Sequence, residues 1–458
     1  MKTTKLFFMA ALALMTAACS NSDNDILTPA EQPAKAQGIT ITAKLAPKSS
    51  VSGTRKVTEG TGAQAGTIVA EWETHEHIAI LYEVSGTKYN ADATIEGVDA
   101  NGVATISFTV ASGTPDNTEC TLVYPGNAVN DDKTGVKAYA DLLASQDGTL
   151  SYNLDVRVGA GKIQTTTPSL DVTTQPAAQY SIFKFTAQNI SGTGITPSEF
   201  KVSDSEGNVI TTVSPSSSAF YVALPALSAG TYWFSATAGS KPYIAKGAVG
   251  TATTAGNYYQ STVKMATIGD VILSDGKFAA PSSTGTKVAM IAYVGNDAET
   301  STTYNHGLAL ALGDVSDTKN WCSQTGATCL STGHQFDSEA GAKGDMAGIA
   351  NTDALVNNTT GHTHDAAKAA RDYNSGTHPA GTSAWFLPSA GQWDKMATAA
   401  GGYANLIANA GLQGGWDAAY WSSTEGGADF AWFFDSSNGK LDGYSKDEEF
   451  WVRACLAF

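Results

Sequence analysis

Charge is scarce in this chain, and positive charge scarcer still. Only 15% of its 458 residues are Asp, Glu, Lys or Arg, and 27 Lys and Arg face 43 Asp and Glu, for a formal net charge of −16. An acidic surface repels phosphate backbones, so nucleic acid is excluded as a partner. It also gives no electrostatic hold on anionic lipid. Long apolar runs are missing: beyond the first residues nothing sustains the roughly 18 apolar residues that a membrane-spanning helix needs. Cysteine is sparse, with five in all, and the spacing of Cys120, Cys322, Cys329 and Cys455 matches no zinc site. No G-x-S-x-G elbow, P-loop, dinucleotide-binding glycine pattern or H-E-x-x-H helix is present, which removes the common hydrolytic and nucleotide-dependent chemistries.

What is present is rich in Gly, Ala, Ser and Thr, a composition that favours β-rich extracellular architecture over helical bundles. The 458 residues suggest roughly three domains at about 150 residues each. From Gly38 the chain alternates with the two-residue period of strands, as in ITITAKL (39–45), TIVAEWETHEHIAILYEV (67–84), ATISFTV (104–110) and CTLVYP (120–125). Turn clusters such as GTPDN and PGN separate them. Alternation loosens over 126–165 and resumes in YSIFKFTAQNI, SAFYVALPAL, GTYWFSATAG and NYYQSTVKM. Near Ala266 the texture changes. Strand-like ATIGDVILSDGKFA and KVAMIAYVG are followed by helical stretches over 338–356, 364–373 and 389–411. Strands return in AYWSSTE, FAWFFDSSNGKL and EFWVRACLAF. The expected fold is mostly β with an α+β C-terminal domain: two tandem β-sandwiches, 38–160 and 161–265, then a third domain over 266–458.

The N-terminus carries Lys2 and Lys5, an apolar LFFMAALALM too short to span a bilayer, and the small-residue junction Thr16-Ala17-Ala18-Cys19. This resembles the bacterial lipobox, in which cleavage leaves the cysteine lipid-modified. Residues 1–18 are then a lipoprotein signal peptide, Cys19 the lipidation site, and the acidic, Pro-containing 19–37 a flexible tether. The membrane is a partner through that anchor, and the expected location is the surface-exposed face of the outer membrane.

Residues 38–265 resemble the fimbrillin family of pilus subunits. The residues that carry this are the basic pair Arg55-Lys56 before a Gly-rich stretch, the Trp72 strand with IAILY, the YPGN turn, and YVALPALSAGTYWFSATAG closed by GNYYQSTVKM. The resemblance implies a lipoprotein cut by a trypsin-like protease after a basic residue, with Arg55 and then Lys56 as candidates. Removing the first strand exposes unpaired backbone and an apolar groove for a strand from another pilus subunit. The other reading of Arg55-Lys56 is an exposed, unprocessed loop.

Residues 266–458 resemble the C-type-lectin-like modules at the ends of bacterial surface proteins, including those diversified by retroelements. The resemblance rests on GDVILSDGKF, AMIAYVG, HGLALALGDV with Trp321, WFLPSAGQWDKM, YWSSTE and VRACLAF. Such folds present loops as a binding face on a rigid scaffold. Fimbrillins that polymerise carry a C-terminal donor strand, whereas FWVRACLAF reads as a core strand, so the joined resemblances imply a fimbrial tip adhesin. The alternative is a free-standing surface lipoprotein that binds protein or glycan without joining a pilus.

The candidate ligand-binding residues are Trp416, Asp417, Tyr420, Phe430, Phe434, Asp435, Asn438, Lys440, Tyr444, Lys446, Asp447 and Glu448. Their aromatics offer large rigid contact area at low entropic cost. Trp421, Trp432, Val452 and Ala454 fall to the scaffold. The triplets by which C-type lectins bind sugar through calcium are absent, so no metal and no cofactor is expected. Cys322 and Cys329 can close a short disulfide loop, while Cys455 reads as a small buried hydrophobe. His75-Glu76-His77 and His362-Thr363-His364 invite a metal reading but show no third ligand, and surface histidines are the plainer one. The lectin-like domain also resembles sulfatase-modifying enzymes. Cys322, Cys329 and Cys455 show no reactive pair and no base beside them, so no enzyme is expected.

Overall fold

A computed structural model describes residues 38–48, 58–59, 68–331, 334–358, 361–414 and 418–458. The described chain is mostly β, arranged in several sheets. The first is a seven-stranded antiparallel sheet in the spatial order Ile39–Leu45, Ala104–Val110, Thr87–Val98, His77–Val84, Thr118–Tyr124, Arg157–Gln164 and Ser169–Ala178. Ile39–Leu45 follows directly from its alternation: Ile41, Ala43 and Leu45 are buried and Thr40, Thr42 and Lys44 are exposed. Their partners across the pair are Phe108, Ile106 and Ala104. Each fully buried Ile or Leu contributes about 1.5–3 kcal/mol over an exposed one, so this row fixes the register. The strand Arg157–Gln164 straddles residue 160, where the boundary was expected, and pairs with Thr118–Tyr124 of the first sheet.

The next residues build two facing sheets. In one, Ser181–Asn189 lies between Ala219–Leu224, antiparallel, and Tyr258–Met265, parallel. The other runs Lys241–Val249, Gly230–Ala238, Glu199–Ser203, Val209–Val213 and Ser145–Gln146. Phe185, Phe200, Phe220 and Val222 fill the space between. Ser145–Gln146 comes from the loose region after residue 126. Buried Gln146 secures it by donating to Leu143 O and Ala223 O at 2.9 Å each and accepting from Ala223 N. Trp233 then joins this unit to the next, packing in one apolar cluster with Ile272, Ile291 and Phe458.

The remaining chain combines a five-stranded sheet with a three-stranded one. The first runs Phe278–Ala279, Val271–Leu273, Lys287–Val294, Gly307–Ala311, Cys455–Ala457, and the second Ala419–Glu425, Phe430–Asp435, Lys440–Ser445. The segment WFLPSAGQWDKM links them. Ser389 caps the helix Ala390–Ala399 in a reciprocal capping box with Gln392. Gln392 also donates to Glu299 at 2.8 Å, and Trp393 stacks on Phe434 with centroids 5.1 Å apart. The helix expected over 389–411 is two, Ala390–Ala399 and Tyr403–Ala410. Gly401 and Gly402 break it with φ of +81° and +120°, which only glycine adopts without strain. The stretch 338–356 divides likewise into Glu339–Ala342 and Gly348–Val356, and 364–373 shortens to Asp365–Arg371. Among the described residues no helix is long and apolar enough to cross a membrane.

Candidate functional site

Cys19, Arg55 and Lys56 lie outside the described residues, and so do Trp416 and Asp417. What the structure does show upstream of Arg55 is how the first strand is held. Ile39–Leu45 forms one edge of its sheet, bonded along one side to Ala104–Val110. Just beyond it the side chain of Lys48 is 1% exposed, its Nζ 3.5 Å from both Glu76 Oε2 and Asp155 Oδ2. The ammonium also sits 3.5 Å from the ring centre of Tyr124 and 4.3 Å from that of Trp72. Burial lowers the Lys48 pKa, against the pull of Asp155 and Glu76. Trp72 Nε1 donates to Ala46 O at 2.8 Å, and Arg157 Nη1 to Lys48 O at 3.3 Å. The strand is thus an apolar zipper ending in a cationic latch.

That latch explains Glu76. His75, with φ of +69°, sits in a turn, and exposed His77 pairs with Asp92 at 2.9 Å, so the two imidazoles do not share a strand face.

At the other end of the chain, the expected ligand residues divide. Tyr444 is 49% exposed, Asn438, Lys440, Asp447 and Glu448 are exposed, and Phe430 and Asp435 are half-buried. Tyr420, Phe434 and Lys446 are a correction: all three are fully buried. Tyr420 donates to Asp314 at 3.2 Å, and burial pushes its phenol up to about 12. Phe434 packs on Trp393, and Lys446 pairs with Glu425 with neither side chain exposed. Trp421, Trp432, Val452 and Ala454 are buried, in the scaffold. Two half-buried residues beside Tyr444 were missed. Phe433 and Phe450 form an aromatic patch with Tyr444, at centroid distances of 6.3 and 5.4 Å from it. Phe433 was legible by alternation, since it lies opposite in phase to Trp432 on one strand.

The cysteine region differs most from expectation. Cys120, Cys322, Cys329 and Cys455 are all free thiols, and Cys322 and Cys329 have their sulfurs 3.8 Å apart, beyond a disulfide bond of about 2.05 Å. Cys455 is fully buried. Basic groups do lie beside the pair. His364 is 4% exposed rather than on the surface, and its ring groups with the two sulfurs. Lys446 Nζ is 4.0 Å from Cys329 Sγ. The Cys329 thiol donates to Cys322, which draws the Cys322 pKa down and pushes that of Cys329 up. Glu425, at the end of Ala419–Glu425, accepts from the backbone of Cys329 and Leu330 at 2.7 Å each. Trp321 and Cys322 donate their N–H groups to Lys446 O at 2.9 and 3.0 Å. Four separate stretches of the chain, 321–330, His364, Glu425 and Lys446, therefore converge on one point.

No family model matches the sequence, and no curated protein does. Among solved structures, the chain is similar to a fimbrial protein from Bacteroides ovatus at 13% identity and a TM-score of 0.36, over 92% of this chain and 99% of that one. It is similar also to a fimbrial assembly protein from Parabacteroides distasonis, at 14% identity and a TM-score of 0.27, over 49% of this chain and 90% of that one. At these scores the likenesses carry no argument about what the chain does.

Proposed function

We propose that this chain is a cell-surface adhesin of fimbrial type, delivered as a lipoprotein through Cys19 and released by cleavage after Arg55, that joins a pilus by strand exchange and recognises a protein or glycan through residues 266–458, folded in the C-type-lectin-like manner. The observation that carries the reading is the edge strand Ile39–Leu45. It lies upstream of Arg55, pairs along one side, and buries Ile41, Ala43 and Leu45 in a row. Cutting after Arg55 and removing it leaves Ala104–Val110 unpaired along that one edge, over an apolar groove, which a strand from another pilus subunit fits. The strand Cys455–Ala457 is bonded to Gly307–Ala311 on one side and bridged to Phe386 on the other, so this strand is committed to its own core and is not itself a donor. Recognition falls to the surface around exposed Tyr444, backed by half-buried Phe433 and Phe450 and flanked by Lys440, Asp447 and Glu448. The role is non-covalent.

Lys48 favours a second reading. Its buried latch opposes loss of the strand, as suits a free-standing surface lipoprotein that keeps it. Gold-labelled antibody against residues 266–458, applied to intact cells, separates the two. Label at fibre ends is expected for the adhesin, and label confined to the cell envelope contradicts it.

A further inference from the structure

The described residues contain one grouping of three metal-capable side chains, Cys322, Cys329 and His364, whose ligand atoms all lie within 4.8 Å of one another. The spacing of the sulfurs is informative. A disulfide holds its sulfurs about 2.05 Å apart. Two Zn–S bonds of about 2.3 Å meeting at the tetrahedral angle hold them about 3.8 Å apart, and a linear S–metal–S unit about 4.6 Å. The observed separation is 3.8 Å. That separation accommodates two thiolates on one tetrahedral ion, as it does the thiol hydrogen bond from Cys329 to Cys322.

His364 points the same way. It is buried at 4% exposure, its ring engages the Cys322 thiol, and no closer partner meets either nitrogen among the described residues. A buried imidazole held against two thiols is the arrangement that a shared ion would complete. Charge selects the ion. Two thiolates and an imidazole around a divalent cation are neutral, and the adjoining Lys446–Glu425 pair is neutral as well. A monovalent ion would leave net negative charge in a buried place, which is costly. The donor set of sulfur and imidazole nitrogen suits zinc and not magnesium or calcium.

We propose that Cys322, Cys329 and His364 bind a zinc ion, with one coordination position left to solvent. Lys446, 4.0 Å from Cys329 Sγ, directs its ammonium toward the thiolate, and Glu425 fixes that ammonium and the Cys329 loop together. The ion ties the loop after Lys319–Asn320 to the head of the helix Asp365–Arg371, where Ser323 N–H already donates to Thr363 O and Ser323 Oγ accepts from Thr363 N–H. Lys319–Asn320 pairs in turn with Glu449–Phe450, so zinc braces the strand whose half-buried Phe450 packs beside exposed Tyr444. This site stands independently of pilus assembly.

The test uses the full chain purified under reducing conditions. Metal analysis is expected to find equimolar zinc. Cobalt(II) in its place is expected to give thiolate charge-transfer absorption and the intense visible bands of a tetrahedral centre. Cys329→Ser and His364→Ala are expected to weaken zinc by about tenfold or more in chelator competition, and Cys120→Ser to leave it unchanged. Should the variants misfold, protection of Cys329 from alkylation by added zinc tests the same coordination in the wild-type chain. A chain that holds no zinc, a pale octahedral cobalt spectrum, unprotected Cys329, or a Cys322–Cys329 disulfide in protein from native membranes overturns the proposal.

Discussion

Lys446 shows what one buried charge demands. A lysine leaves water only with a partner, and here Glu425 supplies a carboxylate that also accepts two backbone N–H groups. Lys446→Met removes the cation and leaves the carboxylate buried, so it is expected to cost about 3–5 kcal/mol in urea unfolding. The double variant Lys446→Met, Glu425→Gln is expected to cost clearly less than the sum of the two single changes, because no lone charge remains. His306 gives a pH dependence. Its ring packs 4.0 Å from that of Trp233, and burial, aided by repulsion from Lys246 and opposed by Asp204, lowers its pKa to about 4. The folded value lies below the unfolded one of about 6.5, so the unfolded chain binds more protons between them. The neutral imidazole's stability is therefore present above pH about 6.5 and lost as pH falls toward 4, a swing of roughly 1–3 kcal/mol. His306→Asn is expected to flatten that part of the stability curve; an unchanged slope assigns it to other groups.

At the scale of elements, alternation made the outer strands legible: ITITAKL buries every second residue because one face of its sheet is solvent and the other core. It misled at Tyr420 and Phe434, where aromatic content outweighed phase. Phe434 lies two residues from Trp432 and shares its buried face. AYWSSTE is a strand as expected, but the burial of its polar residues has no local signal. Ser422 and Thr424 are fully buried because Trp432 O and Asp345 satisfy their hydroxyls, partners no local window contains. The meeting of Cys322, Cys329, His364 and Lys446 was invisible for the same cause. Helix 390–399 was legible at its cap, since Ser389 and Gln392 lie three residues apart. The first strand carries its own prediction. After cleavage at Arg55 by a trypsin-like protease, the freed segment is expected to stay bound through Lys48. Lys48→Ala is expected to speed its exchange for a competing strand peptide by one to two orders of magnitude, equivalent to about 1.4–3 kcal/mol. Native mass spectrometry follows the exchange, and equal rates would show that the latch does not hold the strand.

At the scale of the whole molecule, the edge strand Ile39–Leu45 and the surface around Tyr444 are connected through packed core. An apolar seam of Ala79, Leu81, Val123, Ile182 and Ala223 runs between the first sheet and the next unit, and Trp233 packs that unit onto the last. Load applied at either end therefore passes through packed core rather than through bare linkers. The most direct measurement is mass spectrometry of the N-terminus of this chain recovered from sheared surface fibres. A chain beginning at Lys56 and recovered together with other pilus subunits is the expected result, since it requires both processing and assembly. A chain that still begins at a lipid-modified Cys19 and occurs only in the membrane fraction would contradict assembly by strand exchange and leave the free-standing lipoprotein.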